Sequence, residues 1–175
     1  MAYRHKMTSS VFHDAYTQCL NLESLSREIG NKAPGVWRLS ESIRITLSLE
    51  NTIYGDALLN QLGALVETAA DEFTKSQGFS EQQQMAVFYW FKHNFYGIPV
   101  NQERDQLVGK AMECLKDEKA KPYLAVLECA SAVKKATMEY LKVHAPSRYR
   151  MVNDDLERKK SDLLYKIERW LRNGR

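Results

Sequence analysis

Four histidines (His5, His13, His93, His144) and three cysteines (Cys19, Cys114, Cys129) are the side chains best suited here to proton transfer, nucleophilic attack or soft-metal binding. Their spacing argues against all three roles. No histidine has a second histidine at metal-ligand spacing, and the cysteines stand far apart with no CxxC among them. His13 adjoins Asp14, an acid–base pair that would need a third group delivered by folding, so a structural role is the preferred reading. His93 sits among aromatic residues and reads as a hydrogen-bonded core or interface histidine. GxSxG, HExxH, Walker and GxGxxG signatures are absent. The sequence assigns no catalytic residue, no metal and no cofactor, and the expectation is a non-enzyme.

Basic residues are the second chemical resource. From Lys134 to Arg175 the chain carries 12 Lys and Arg against 6 Asp and Glu, whereas the first 133 residues carry 13 against 16. A basic tail on a slightly acidic body points to anionic partners, nucleic acid or a membrane surface. Arg148 and Arg150 flank Tyr149 with no acid before Asp154, and Lys134 and Lys135 are adjacent. Arginine beside an aromatic ring suits both phosphate and stacked-base contacts. Arg158, Lys159 and Arg169 lie on the polar side of a terminal helix, opposite Leu156, Leu163, Leu164, Ile167, Trp170 and Leu171. A solvated surface competes with this reading. Asp154–Arg158, Asp155–Lys159, Asp162–Lys166 and Glu168–Arg172 all have the i,i+4 spacing, acid first, that stabilises an exposed helix by a few tenths of a kcal/mol per pair. Lys160 falls on the apolar stripe, where it must snorkel or meet an acid.

The elements that position these groups read as helices. Residues 80–96, SEQQQMAVFYWFKHNFY, place aromatic side chains on every side of a helical cylinder. A helix apolar all round must be buried all round, as a central core helix or as one shared with a second copy. Phe88, Trp90, Phe91 and Phe95 are the candidate self-association residues. Ser80 and Gln83 form a capping box and Gly97 a C-terminal stop. Ser10 can cap a helix to about Ile29, which GNKAPG (30–35) ends. Residues 39–49 alternate like a strand, but no other segment does, and the same residues share one helical face. Helix is the reading there. Further helices are expected from Asp56 to Lys75, from near Asn101 to Leu115, from Pro122 to Val143 and from Asp154 to Arg172, with residues 144–150 as the last connector.

The sequence thus predicts an all-α protein of about seven helices in a compact bundle. It is either one domain or two helical subdomains, 1–97 and 98–175, around the aromatic helix. The odd, scattered cysteines favour a reducing compartment, and neither a spanning segment nor a secretory leader is legible, so a soluble cytoplasmic protein is expected. Two functions fit. One is a self-associating helical protein that holds RNA, or DNA, through sequence-independent backbone contacts of its basic C-terminal region. The alternative is a helical adaptor or chaperone-like module whose apolar grooves take a protein partner.

Overall fold

A computed structural model describes residues 17, 20–21, 24–25, 27–28, 33–48, 56–98 and 104–173. Among them the chain is all-α, with six helices, one 3₁₀ turn and no strand. In order these are α1 (Pro34–Ser48), α2 (Asp56–Gln77), α3 (Glu81–Tyr96), α4 (Asp105–Leu115), the 3₁₀ turn Glu118–Ala120, α5 (Lys121–His144) and α6 (Pro146–Asn173). Thr17, Leu20, Asn21, Ser24, Leu25, Arg27 and Glu28 are helical where the first helix is expected. His5, Ser10, His13, Asp14 and Cys19 lie outside the described residues.

The aromatic helix α3 is central. It packs against α2, α4, α5 and α6, and Ala86, Val87, Tyr89, Phe91 and Phe95 are buried. The missing polar face is therefore accounted for within one chain. Phe91 and Phe95, at 0% and 1% exposure, offer nothing to a second copy, which leaves only the half-buried Phe88 and Trp90 of the four self-association candidates. Around α3 one hydrophobic cluster draws Leu62, Leu65 and Phe73 from α2, Leu107 from α4, Val126 and Val133 from α5 and Ile167 from α6. The Phe73 ring meets Phe79 edge-on at 5.6 Å and Tyr123 at 5.2 Å.

Both ends of α3 are fixed by local chemistry. Ser80 Oγ accepts from the Gln83 amide at 3.2 Å, and Gln83 Oε1 accepts from the Ser80 amide at 2.9 Å. That reciprocal pair satisfies two of the amides a helix start leaves open. At the other end Gly97 adopts φ 70°, and its amide and that of Ile98 both donate to the His93 carbonyl. The left-handed turn is cheap only for glycine. His93 adds a side-chain clamp, its Nδ1 bonded to the Ile98 carbonyl.

Two expectations change. Residues 39–48 are helical, but Pro34 and Gly35 open α1 rather than merely closing what precedes it. The expected connector 144–150 shrinks to Ala145 (φ −147°, ψ 68°), and α6 starts at Pro146 instead of Asp154. Proline is favoured in a helix's first turn, where its absent N–H costs nothing. Arg148, Tyr149 and Arg150 are therefore helical residues.

The start of α1 depends on a distant carboxylate. Glu72 Oε1, from α2, accepts from the Gly35 amide at 2.8 Å, while Oε2 is buried without a hydrogen-bond partner among the described residues. Space here is tight: a Cβ on Gly35 would meet Glu72 Oε1 at 2.5 Å and Thr68 Cγ2 at 2.8 Å. Burial raises the Glu72 pKa above its ordinary value, and the Gly35 and Val36 amides pull it back in part. A carboxyl whose folded pKa is raised adds stability in full below its unfolded pKa, and that stability is lost as pH rises through the folded pKa. Glu72→Gln keeps the acceptor and removes the charge. Urea titrations should show the variant gaining on the parent from pH 4 to pH 7, and Glu72→Ala, which also lacks the titrating group, should follow the same trend while lying about 1 kcal/mol below Glu72→Gln at either pH.

Candidate functional site

α5 and α6 meet at Ala145 as two long helices, and their junction sits against the C-terminal end of α3. There the structure leaves an open depression of about 370 Å³, lined by Asn94 and Phe95 of α3, by Ser131, Lys134, Lys135, Met138, Glu139 and Lys142 of α5 and by Tyr149 of α6. Helical spacing explains the α5 wall: residues 131, 134, 135, 138, 139 and 142 recur at three- and four-residue steps on one face. Three lysines and one glutamate give that wall its positive balance.

The lysines are not equivalent. Lys134 is half-buried, and its ammonium donates to the Phe95 carbonyl while lying 5.1 Å from the Phe95 ring centre and 5.9 Å from that of Tyr96. It therefore places positive charge on the carbonyl end of α3, where helix carbonyls lack partners. Burial pushes its pKa below the usual lysine value; nearby Lys160 adds to that shift and Glu157 opposes it. Lys135 and Lys142 are exposed. Tyr149 is half-buried, packed against the core with part of its ring in the depression.

The sequence-derived basic cluster divides over this surface. Lys134, Lys135 and Tyr149 come together in the depression. Arg148 and Arg158 line a second hollow with Asn60, Met151, Val152 and Asp155. Asp155 is its anionic centre, pairing with Arg158 at 2.9 Å and with Lys159 at 3.2 Å, and Lys159 also donates to Asn60 Oδ1. Lys159 is thus occupied, as the i,i+4 reading expects, while Arg158 takes the acid three residues back rather than Asp154. Lys160 meets Glu157 at 3.8 Å. Arg150 and Arg169 are exposed on α6 and line neither hollow.

Other groups lie outside the sequence-derived cluster. Lys142, two turns from Lys135 on the same face of α5, joins the depression. Arg104 is 6% exposed and 4.0 Å from Glu168, the acid that i,i+4 spacing assigned to Arg172. No periodicity signals a buried arginine at a helix entrance. Cys114 and Cys129 are free thiols whose pKa values burial raises, so both favour the neutral thiol over the nucleophilic thiolate. No group of three metal-ligating side chains occurs among the described residues, and no helix there is long and apolar enough to cross a membrane.

No protein-family model matches the chain, and neither does any curated protein or solved structure.

The division of labour between the paired lysines is measurable. Lys134→Met keeps the aliphatic stem and deletes the charge on the α3 carbonyl end. It should lower unfolding stability by about 0.5–1.5 kcal/mol. The exposed neighbour should behave differently, with Lys135→Met within about 0.5 kcal/mol of the parent in the same urea titrations.

Proposed function

We propose that this protein binds nucleic acid, with RNA the favoured ligand, through sequence-independent contacts to the phosphate backbone. The supporting observation is the convergence of Lys134, Lys135, Lys142 and Tyr149 on one open depression at the α5–α6 junction. Exposed Lys135 and Lys142 present ammonium groups to phosphates. Half-buried Lys134 supplies a fixed positive background while holding the floor at Phe95. Tyr149 adds a ring edge against which a sugar or an unpaired base can lie. Exposed Arg150 extends the positive surface along α6. Arg158 and Lys159 contribute less, because Asp155 neutralises part of their charge.

Affinity for such a ligand comes mainly from released counterions, so it must fall steeply with salt. One modest patch per chain gives weak binding. Repetition by self-association would strengthen it along a single duplex, and the half-buried Phe88 and Trp90 are the aromatic positions left for that contact. Preference for RNA would come from A-form shape and the 2′-hydroxyls rather than from base edges.

The test is binding of a labelled short RNA duplex and its DNA counterpart at two salt concentrations about fourfold apart. The parent should bind both, RNA more tightly, with a clear salt slope. The double variant Lys135→Glu/Lys142→Glu should weaken binding to every sequence alike and reduce the slope by about one per lysine removed. Absence of binding at low salt, or an unchanged slope in the double variant, refutes the proposal.

A further inference from the structure

α3 and α6 enclose a second space, of more apolar character. Met85, Phe88, Tyr89 and Lys92 of α3 face Leu163, Lys166 and Ile167 of α6 across a cleft of about 270 Å³. The first four stand at i, i+3, i+4 and i+7, and the second three at i, i+3 and i+4, so each helix presents one unbroken stripe. Five of the seven lining residues carry apolar or aromatic bodies, and the two charged ones are both lysines.

Three observations about this cleft belong together. Lys92 is largely withdrawn from water, with 19% of its side chain exposed, and the carboxylate facing it, Glu67, stands 3.8 Å away and is itself 59% exposed. Lys166 is exposed and has no ion pair or hydrogen bond among the described residues. Lys92 feels it as a repulsive charge, in addition to the cost of burial. The third observation concerns the wall itself, which Met85, Phe88, Tyr89, Leu163 and Ile167 line with apolar or aromatic bodies. Two cations beside an apolar slot make a poor arrangement for an empty surface. They suit an occupant with an apolar body and an anionic head.

We infer that the cleft between α3 and α6 binds a small anionic amphiphile, a medium-chain aliphatic carboxylate. Its tail lies along Met85, Phe88, Tyr89, Leu163 and Ile167, and its carboxylate lies between Lys92 and Lys166. Size favours this class over a protein partner. The volume sits just below the usual range for small-ligand pockets, about 300–1,000 Å³, whereas a helix docking in a groove needs several anchors over two turns. Charge selects the head group, since Glu67 leaves Lys166 unneutralised. The site uses none of the lysines of the depression and shares only Phe88 with the aromatic positions left for self-association.

Calorimetric titration of the full chain with sodium decanoate below its micellar concentration tests the assignment, with decanol and decyltrimethylammonium as neutral and cationic controls. The expected result is one decanoate per chain, weaker binding of decanol and none of the cation. Lys166→Glu, at an exposed position, should weaken decanoate binding about tenfold or more. Lys135→Glu/Lys142→Glu should leave it unchanged. Equal affinity for decanol, or loss of decanoate binding in the depression variant to the same degree as in Lys166→Glu, would overturn the inference. So would the absence of saturable one-to-one binding.

Discussion

The structure depends on the burial of one helix that has no face suited to water. A helix with Tyr89 on one side and Phe91 and Phe95 on another gains by every contact that removes them from solvent, at roughly 25 cal/mol per Å² of apolar area. Two neighbours cannot cover a cylinder on all sides. Four do so here: α2, α4, α5 and α6 all pack on α3. Of the six helices given ranges here, α1 alone packs on α2 instead, and its first turn is held by Glu72 of that helix. The arrangement of α2, α4, α5 and α6 therefore follows from a single demand, each supplying its own apolar stripe to meet it.

A helix enclosed in this way still has polar ends, and they must be satisfied inside the bundle. The N-terminal end solves this alone through Ser80 and Gln83. The C-terminal end needs help from elsewhere. The carbonyl of His93 receives two amides, the imidazole returns a bond to Ile98, and Lys134 reaches the Phe95 carbonyl from another helix. That last contact couples stability to the candidate site. The lysine that completes α3 also forms part of the floor of the basic depression, so its charge cannot be assigned wholly to either task.

What was legible in the sequence was local. Ser80-x-x-Gln83, Gly97 and Pro122 sit within a few residues of the groups they serve, and each marks a helix end that the structure contains. The aromatic saturation of residues 80–96 predicted burial on all sides because it concerns one helix's own faces, and left open whether a second copy shared in it. The errors and omissions arose where partners lie far along the chain or where one residue type has two uses. Pro146 resembles a loop residue after His144 and Ala145, yet proline also fits a helix's first turn, and α6 begins there. Glu72 lies 37 residues from Gly35, and Lys134 lies 39 from Phe95. Spacing cannot reveal such pairs. Arg158 shows a subtler limit, because helical geometry puts both Asp154 and Asp155 within reach and only packing chooses between them.

The depression takes the end of α3 with the start of α6, and the cleft takes the middle of α3 with the later part of α6. The two helices therefore run in opposite directions along each other, with a different degree of closure at each level. Closure decides what a lysine can do. Lys135 and Lys142 stand in solvent, where their fields decay over about 10 Å at 0.1 M salt, so they act best in numbers and on a ligand that carries many charges. Lys92 is largely shielded from that screening, so a single carboxylate can matter to it, and a repeated phosphate backbone has no access to the apolar slot beside it. The two proposed anion sites thus draw their lysines from different helices, α5 for the depression and α3 with α6 for the cleft. Salt separates them: it should drain affinity from the depression and leave the cleft, where apolar contact carries the tail, far less affected.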